Sequence, residues 1–81
     1  MIERIYFQRE DGRECDILDA LNVAGNCSKL EMSALSSEAK FGAKVEEGMV
    51  CLEYYPEFFS VKKKDFLGDI VAAGYKETKP D

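Results

Sequence analysis

The side chains that carry most acid–base and metal chemistry are scarce in this sequence. It contains no histidine. That removes Ser-His-Asp and Cys-His nucleophilic pairs, imidazole proton transfer and every zinc pattern that needs a ring nitrogen. Cys15, Cys27 and Cys51 stand far apart with no Cys-x-x-Cys spacing. An odd count without an export signal speaks against a disulfide framework, and the three thiols read as small packed hydrophobes. Cys15, just ahead of a helix start, is the one thiol placed where a helix N-terminus could activate it. Asp65 and Asp69 lie one helical turn apart, but two carboxylates fall short of the roughly six to eight oxygens of a calcium shell. No stretch matches an EF-hand loop, a phosphate-binding loop or a dinucleotide fingerprint. The expectation is a protein that is not an enzyme and uses no cofactor or metal.

What the sequence does offer is charge. Sixteen acidic and eleven basic residues leave a net charge of −5. Such a surface repels phosphate backbones, so direct nucleic-acid binding is not expected, and a basic protein partner is. Lys62, Lys63 and Lys64 form the one basic cluster. With no arginines and aromatics interleaved around it, it reads as the solvated shoulder of a helix rather than a phosphate site. All three arginines, Arg4, Arg9 and Arg13, fall in the first thirteen residues, where their planar forks suit structured ion pairs.

Those side chains need a scaffold, and 81 residues provide for one domain. The hydrophobic share is 46 %, too high for a disordered chain. No segment approaches the ~20 apolar residues of a membrane span, and the first residues lack a signal-peptide core. A soluble cytoplasmic protein without a membrane partner is expected.

Residues 38–55 organise the rest. Ala39, Phe41, Ala43 and Val45 alternate with polar neighbours, Glu46-Glu47-Gly48 breaks the run, and residues 49–55 resume as a β-rich strand, so a hairpin is predicted. Residues 2–9 form another strand, with Ile5 and Phe7 on one face. Asp11-Gly12 predicts a second hairpin with a return strand over residues 13–16, pairing Glu10 with Arg13 and Arg9 with Glu14. Residues 16–26 switch to helical spacing through Ile17, Leu18, Leu21 and Ala24, with Asp16 as cap. The alternative extends the hairpin through Leu18 and pairs Arg4 with Asp19. Residues 27–35 alternate again and are predicted as a strand that places Leu30 and Met32 on the same inner face as Phe41, Ala43, Val45, Val50 and Leu52. Pro56 ends the last strand. Residues 60–75 carry a helix starting nearer Lys62, with Phe66, Leu67, Ile70, Val71 and Ala73 as its apolar stripe and Gly74 as its stop. Residues 76–81 read as a frayed polar tail. The fold class is α+β: a mostly antiparallel sheet of four or five strands, the C-terminal helix on one face and a short helix after the first hairpin.

The unusual stretch is Tyr54-Tyr55-Pro56-Glu57-Phe58-Phe59. Phe58 and Phe59 could plug the end of the sheet beneath the helix, with one tyrosine outside. An exposed tyrosine and phenylalanine rimmed by Glu53 and Glu57 would instead make a docking spot. On the second reading Glu46, Glu47, Glu53, Tyr55 and Glu57 mark one partner surface, Glu53 and Tyr55 at the open sheet face and the Glu46-Glu47 turn steering from the far end. The function expected is a non-enzymatic protein-interaction module, a small acidic inhibitor or adaptor occupying a basic surface of a larger protein. Phage inhibitors of host defence nucleases, of the anti-restriction or anti-CRISPR kind, share this size and charge. The alternative is a regulatory or structural subunit, possibly a homodimer, that associates through an apolar face or sheet edge.

Overall fold

A computed structural model describes residues 1–80. Its order is β1 (Glu3–Arg9), α1 (Ile17–Gly25), α2 (Ser28–Met32), β2 (Phe41–Glu46), β3 (Met49–Tyr54), a 3₁₀ turn (Pro56–Phe58), α3 (Lys63–Ala72) and β4 (Tyr75–Thr78). The four strands make one sheet in the order β2-β3-β1-β4, and every neighbouring pair is antiparallel. The α+β reading therefore holds, with the long C-terminal helix and a short helix after the first strand. Grouping α1 and α2 as one crossover gives two interleaved β-α-β units, the ferredoxin-like split arrangement. That arrangement hosts many unrelated functions and by itself assigns none.

Register explains the faces. Ile5 pairs with Leu52 and Phe7 with Val50, while Ala43 pairs with Leu52 and Val45 with Val50. One face of the sheet thus carries the apolar set, and the helices cover it. Phe7, Val50, Leu52, Phe66 and Ile70 are completely buried. Tyr54 meets Phe66 edge-on at 5.5 Å between centroids and Phe59 at 6.2 Å, tying β3, the connector and α3 together. Such aromatic pairs contribute about 0.5–1.5 kcal/mol each beyond area burial.

Local chemistry sets the helix ends. Asp16 accepts from the N–H groups of Leu18 and Asp19 at 2.9 and 3.2 Å, and Asp19 accepts in return from the Asp16 N–H at 2.9 Å. This reciprocal box satisfies donors that the first turn otherwise leaves orphaned. At α3 the Asp65 carboxylate accepts from the Lys62 N–H at 3.0 Å, so the start does fall at Lys62. Gly74, at φ 102°, supplies the left-handed stop and feeds directly into β4.

Four expectations are corrected. Residues 13–16 do not return along β1. The partners of β1 are β3 and β4, and Arg9 folds back onto Asp11 (2.6 and 3.0 Å) instead of facing Glu14. Residues 28–32 are helical, not extended; Leu30 is buried as expected, but Met32 is 86 % exposed. The inward side of α1 is Asp19, Ala20 and Val23, leaving Ile17, Leu18 and Leu21 outside. Finally, the expected tail contains β4, which lies alongside β1 from Tyr6 to Arg9. Asp81, the last of the tail residues, lies outside the described residues.

Candidate interaction surfaces

The hairpin closes with a two-residue turn. Glu47 and Gly48 both adopt positive φ, 53° and 77°, the type I′ geometry that matches the twist of paired strands. A side chain at Gly48 would also meet the Glu14 side chain, whose Cγ lies 3.2 Å from the place a Cβ would take. The Cys15 N–H donates to the Gly48 carbonyl at 2.9 Å. The start of α1 and the hairpin tip are thereby fastened side by side. This brings Glu14, Asp16, Glu46 and Glu47 to one end of the molecule, all exposed. Glu14, Glu46 and Glu47 take part in no ion pair among the described residues. Beside them runs the outer side of α1, where Ile17, Leu18 and Leu21 are 65, 64 and 62 % exposed. An apolar ridge next to unpaired carboxylates is a surface that a basic protein can cover.

The open face of the sheet is different in kind. Glu53 stands between Lys44 on β2 (3.0 Å) and Arg4 on β1 (3.3 Å). The Lys44 ammonium, chiefly through its hydrogen bond, holds the Glu53 carboxyl below the usual carboxylate range, and Arg4 adds to this. Glu53 therefore spends its charge inside the molecule. Cys51 lies on this same face yet is completely buried, flanked across the strands by Tyr6 and Lys44. Long amphipathic side chains cover the sheet here.

The remaining residues expected at the partner surface lie elsewhere. Tyr55 is exposed just beyond β3 and rests on Phe58, ring centroids 5.9 Å apart. Glu57 binds the N-terminal ammonium of Met1 at 2.7 Å, which lowers its carboxyl pKa. Phe59, not Phe58, is the plug under the helices. The structure thus brings Glu46 and Glu47 together at one end of the hairpin and Tyr55 and Glu57 at the other. The length of the strand, roughly 20 Å, separates the two groups, and Glu53 is committed to the cations between them. The residues that join Glu46 and Glu47 are Glu14 and the outer side of α1. The one signal for them in the sequence was an excess: α1 holds more apolar residues than one inward stripe accommodates.

Two further groups of polar side chains are buried. Asp19 is 5 % exposed, a buried charged residue in the core. It accepts from the Tyr75 hydroxyl at 2.7 Å and lies 3.6 Å from Arg9, and Asn22 donates to the same hydroxyl at 3.3 Å. The Tyr75 hydroxyl, followed by the Asp16 N–H and the Arg9 guanidinium, holds the Asp19 carboxyl below its ordinary range against the opposing effect of burial. This network locks α1 to β1 and β4. All three cysteines are free and buried. Burial pushes each thiol up, Cys27 to about 11, the opposite of what a thiolate nucleophile needs.

An open groove of about 670 Å³ lies between the residue 34–40 connection and the end of the sheet, with Leu35, Phe41 and Phe59 among its lining. No helix among the described residues is long and apolar enough to cross a membrane. No family model, curated protein or solved structure matches the chain.

Proposed function

We propose that this chain is a non-enzymatic protein-interaction module of the cytoplasm, a small acidic inhibitor or adaptor that occupies a basic surface of a larger protein. The observation that carries this reading is the acid-flanked ridge: Ile17, Leu18 and Leu21 exposed on α1, with Glu14 and Glu47 unpaired at its end. The ridge supplies contact area, and the carboxylates supply orientation and association rate. The Tyr55–Phe58 pair with Glu57 is a separate, smaller spot at the far end. A protein that binds nucleic acid through a positively charged groove is the natural class of target, because its surface complements a chain of net charge −5.

The test is affinity capture from a lysate of the native host with four baits: wild type, Leu18→Ser, Glu47→Lys and Tyr55→Ala. A partner retained by wild type and by Tyr55→Ala, lost with Leu18→Ser, and released from Glu47→Lys at lower salt than from wild type is the expected result. Equal capture by the first three baits would overturn the assignment of the ridge. Loss with Tyr55→Ala alone would move the surface to the far end. A second reading, a subunit that associates through a sheet edge, is favoured by the outer edge of β2, along which no strand pairs among the described residues.

A further inference from the structure

We infer that two copies of this chain pair through the outer edges of their β2 strands, antiparallel and with the two-fold axis at Ala43, to form one continuous eight-stranded sheet. This rests on the sheet-edge reading above and draws Ile17 and Leu21 of the ridge into the seam, so that a dimer presents Leu18 and the carboxylates at the hairpin end, rather than the whole ridge, to any further partner.

The phase of the hydrogen bonds comes from the hairpin. With Glu47 and Gly48 as a two-residue loop, Glu46 and Met49 form a hydrogen-bonded pair, and so do Lys44 with Cys51 and Gly42 with Glu53. The N–H and C=O groups of Phe41, Ala43 and Val45 therefore point away from β3. Beyond them lies no other strand among the described residues. An edge of this kind is a template for another strand. A strand that presents its own free groups at alternate positions can be matched by a copy of itself about a two-fold axis.

Register decides whether the match is favourable. About Ala43, each outward residue meets an outward residue: Ala43 faces Ala43 of the second copy, and Phe41 faces Val45. On the opposite face Lys40, the residue immediately before β2, meets Glu46 of the second copy when the pairing runs on by one residue, once on each side of the axis. Lys44 falls opposite Gly42, where a side chain would find nothing within 4 Å. Moving the axis to Gly42 sets Lys40 against Lys44 twice, and moving it to Lys44 sets the two Lys44 side chains against each other. A one-residue shift turns the covered face of one copy to the open face of the other. Of the registers that keep the faces aligned and overlap most of the strand, the one about Ala43 joins opposite charges, and its neighbours join like charges.

The covered face agrees. Asp19 and Asn22 of α1 look toward Tyr75 on β4, so helical geometry turns Ile17 and Ala24 the other way, toward β2. Val45, 38 % exposed, lies on that side too. Pairing the edges brings the α1 ridges of two copies alongside each other over the seam. Ile17 and Leu21, which find no cover within one chain, then face their own symmetry mates.

The test is the oligomeric state of the full chain, by sedimentation equilibrium over a concentration series. The mass should rise from 9.1 kDa toward twice that value. Lys40→Glu alone and Glu46→Lys alone each turn two attractive pairs into repulsive ones and should weaken the dimer by about tenfold or more. The two together restore opposite charges and should restore the dimer. Ala43→Pro blocks the outward N–H, takes no hydrogen bond from the β2–β3 ladder, and should give a folded monomer. Glu47→Lys, which tests the partner surface, should leave the dimer intact, so the two proposals can fail separately. A monomer at every concentration, a dimer indifferent to the single charge reversals, or a double reversal no better than the single ones would overturn the inference.

Discussion

Replacing Asp19 probes a buried charge whose partners come from three elements. Asp19→Ala strips the Tyr75 hydroxyl and the Asp16 N–H of acceptors at 2.7 and 2.9 Å and leaves Arg9 without its inner partner at 3.6 Å. Hydrogen bonds to a charged group contribute about 1.5–3 kcal/mol, and a lost helix cap costs about 1 kcal/mol. Because the contributions overlap, a net loss of roughly 3 kcal/mol is expected. A domain of this size has on the order of 5–10 kcal/mol in hand. With a urea slope near 1 kcal/mol per molar, the midpoint should fall by about 2–3 M, followed by far-UV circular dichroism. Asp19→Asn keeps an acceptor and should lose about half as much. The sign of the pH effect follows from the lowered Asp19 pKa. A carboxyl depressed in the fold contributes stability that is present above its unfolded pKa, near 4, and is lost as the pH falls through the lower folded value. Wild type should therefore lose more stability than Asp19→Asn between about pH 5 and pH 2. A cost below about 0.5 kcal/mol for Asp19→Ala would refute the account. So would identical acid profiles for wild type and Asp19→Asn: the network would then be a geometric coincidence of little energetic weight.

Other expectations concern backbone and core. Glu47→Gly should raise stability by roughly 0.5–1 kcal/mol, because a left-handed φ of 53° strains a residue with a Cβ. Gly48→Ala should lower it by about 1 kcal/mol or more, since it adds strain at φ 77° and pushes on Glu14; equal melting temperatures for these two variants would contradict the turn. Phe66→Ala should cost about 3–5 kcal/mol and Leu18→Ala less than about 0.5 in a denaturant series, and the reverse order would put the wrong side of α1 in the core. A chain ended at Gly74 loses β4 and the Tyr75 hydroxyl, and its circular dichroism should show an unfolded or molten protein.

The parts of the fold that periodicity specifies were legible. β2 alternates strictly, and α3 has an acidic residue in its first turn and buries Phe66 and Ile70 of the expected stripe, with Leu67 half-buried but Val71 and Ala73 exposed. Residues 28–32 were misread because Leu30, Met32 and Ala34 alternate with polar residues over too short a window to separate strand from helix. On α1, Ile17, Leu18, Leu21 and Ala24 make a better stripe than Ala20 and Val23, yet the side that turns inward is the one carrying Asp19. A buried carboxylate is unreadable until its hydroxyl partner, 56 residues away, is in place. The Asp11-Gly12 signal was real as a turn but gave the wrong partner, since β1 is claimed from both sides by distant strands. Four residues that include a lysine and a glutamate resemble a tail when only Tyr75 reaches the core. For the candidate surface, strand parity placed Glu53 on the correct face, but cations on two neighbouring strands neutralise it there. Those neighbours follow from the sheet order, which no local pattern encodes.

The placement of β1 between β3 and β4 has a consequence for how the chain reaches this state. The first of the described strands is an inner one, and it has no neighbour in the sheet until residue 49 and beyond have emerged. Its second neighbour, β4, is the last of the described strands. Every ladder bond of β1 closes a long loop, whose entropic cost is met before the contact rewards it. Folding should accordingly be slower than for a helical bundle of equal length, and a nascent chain halted before β4 should hold Ile5 and Phe7 exposed, ready for a chaperone or for another chain.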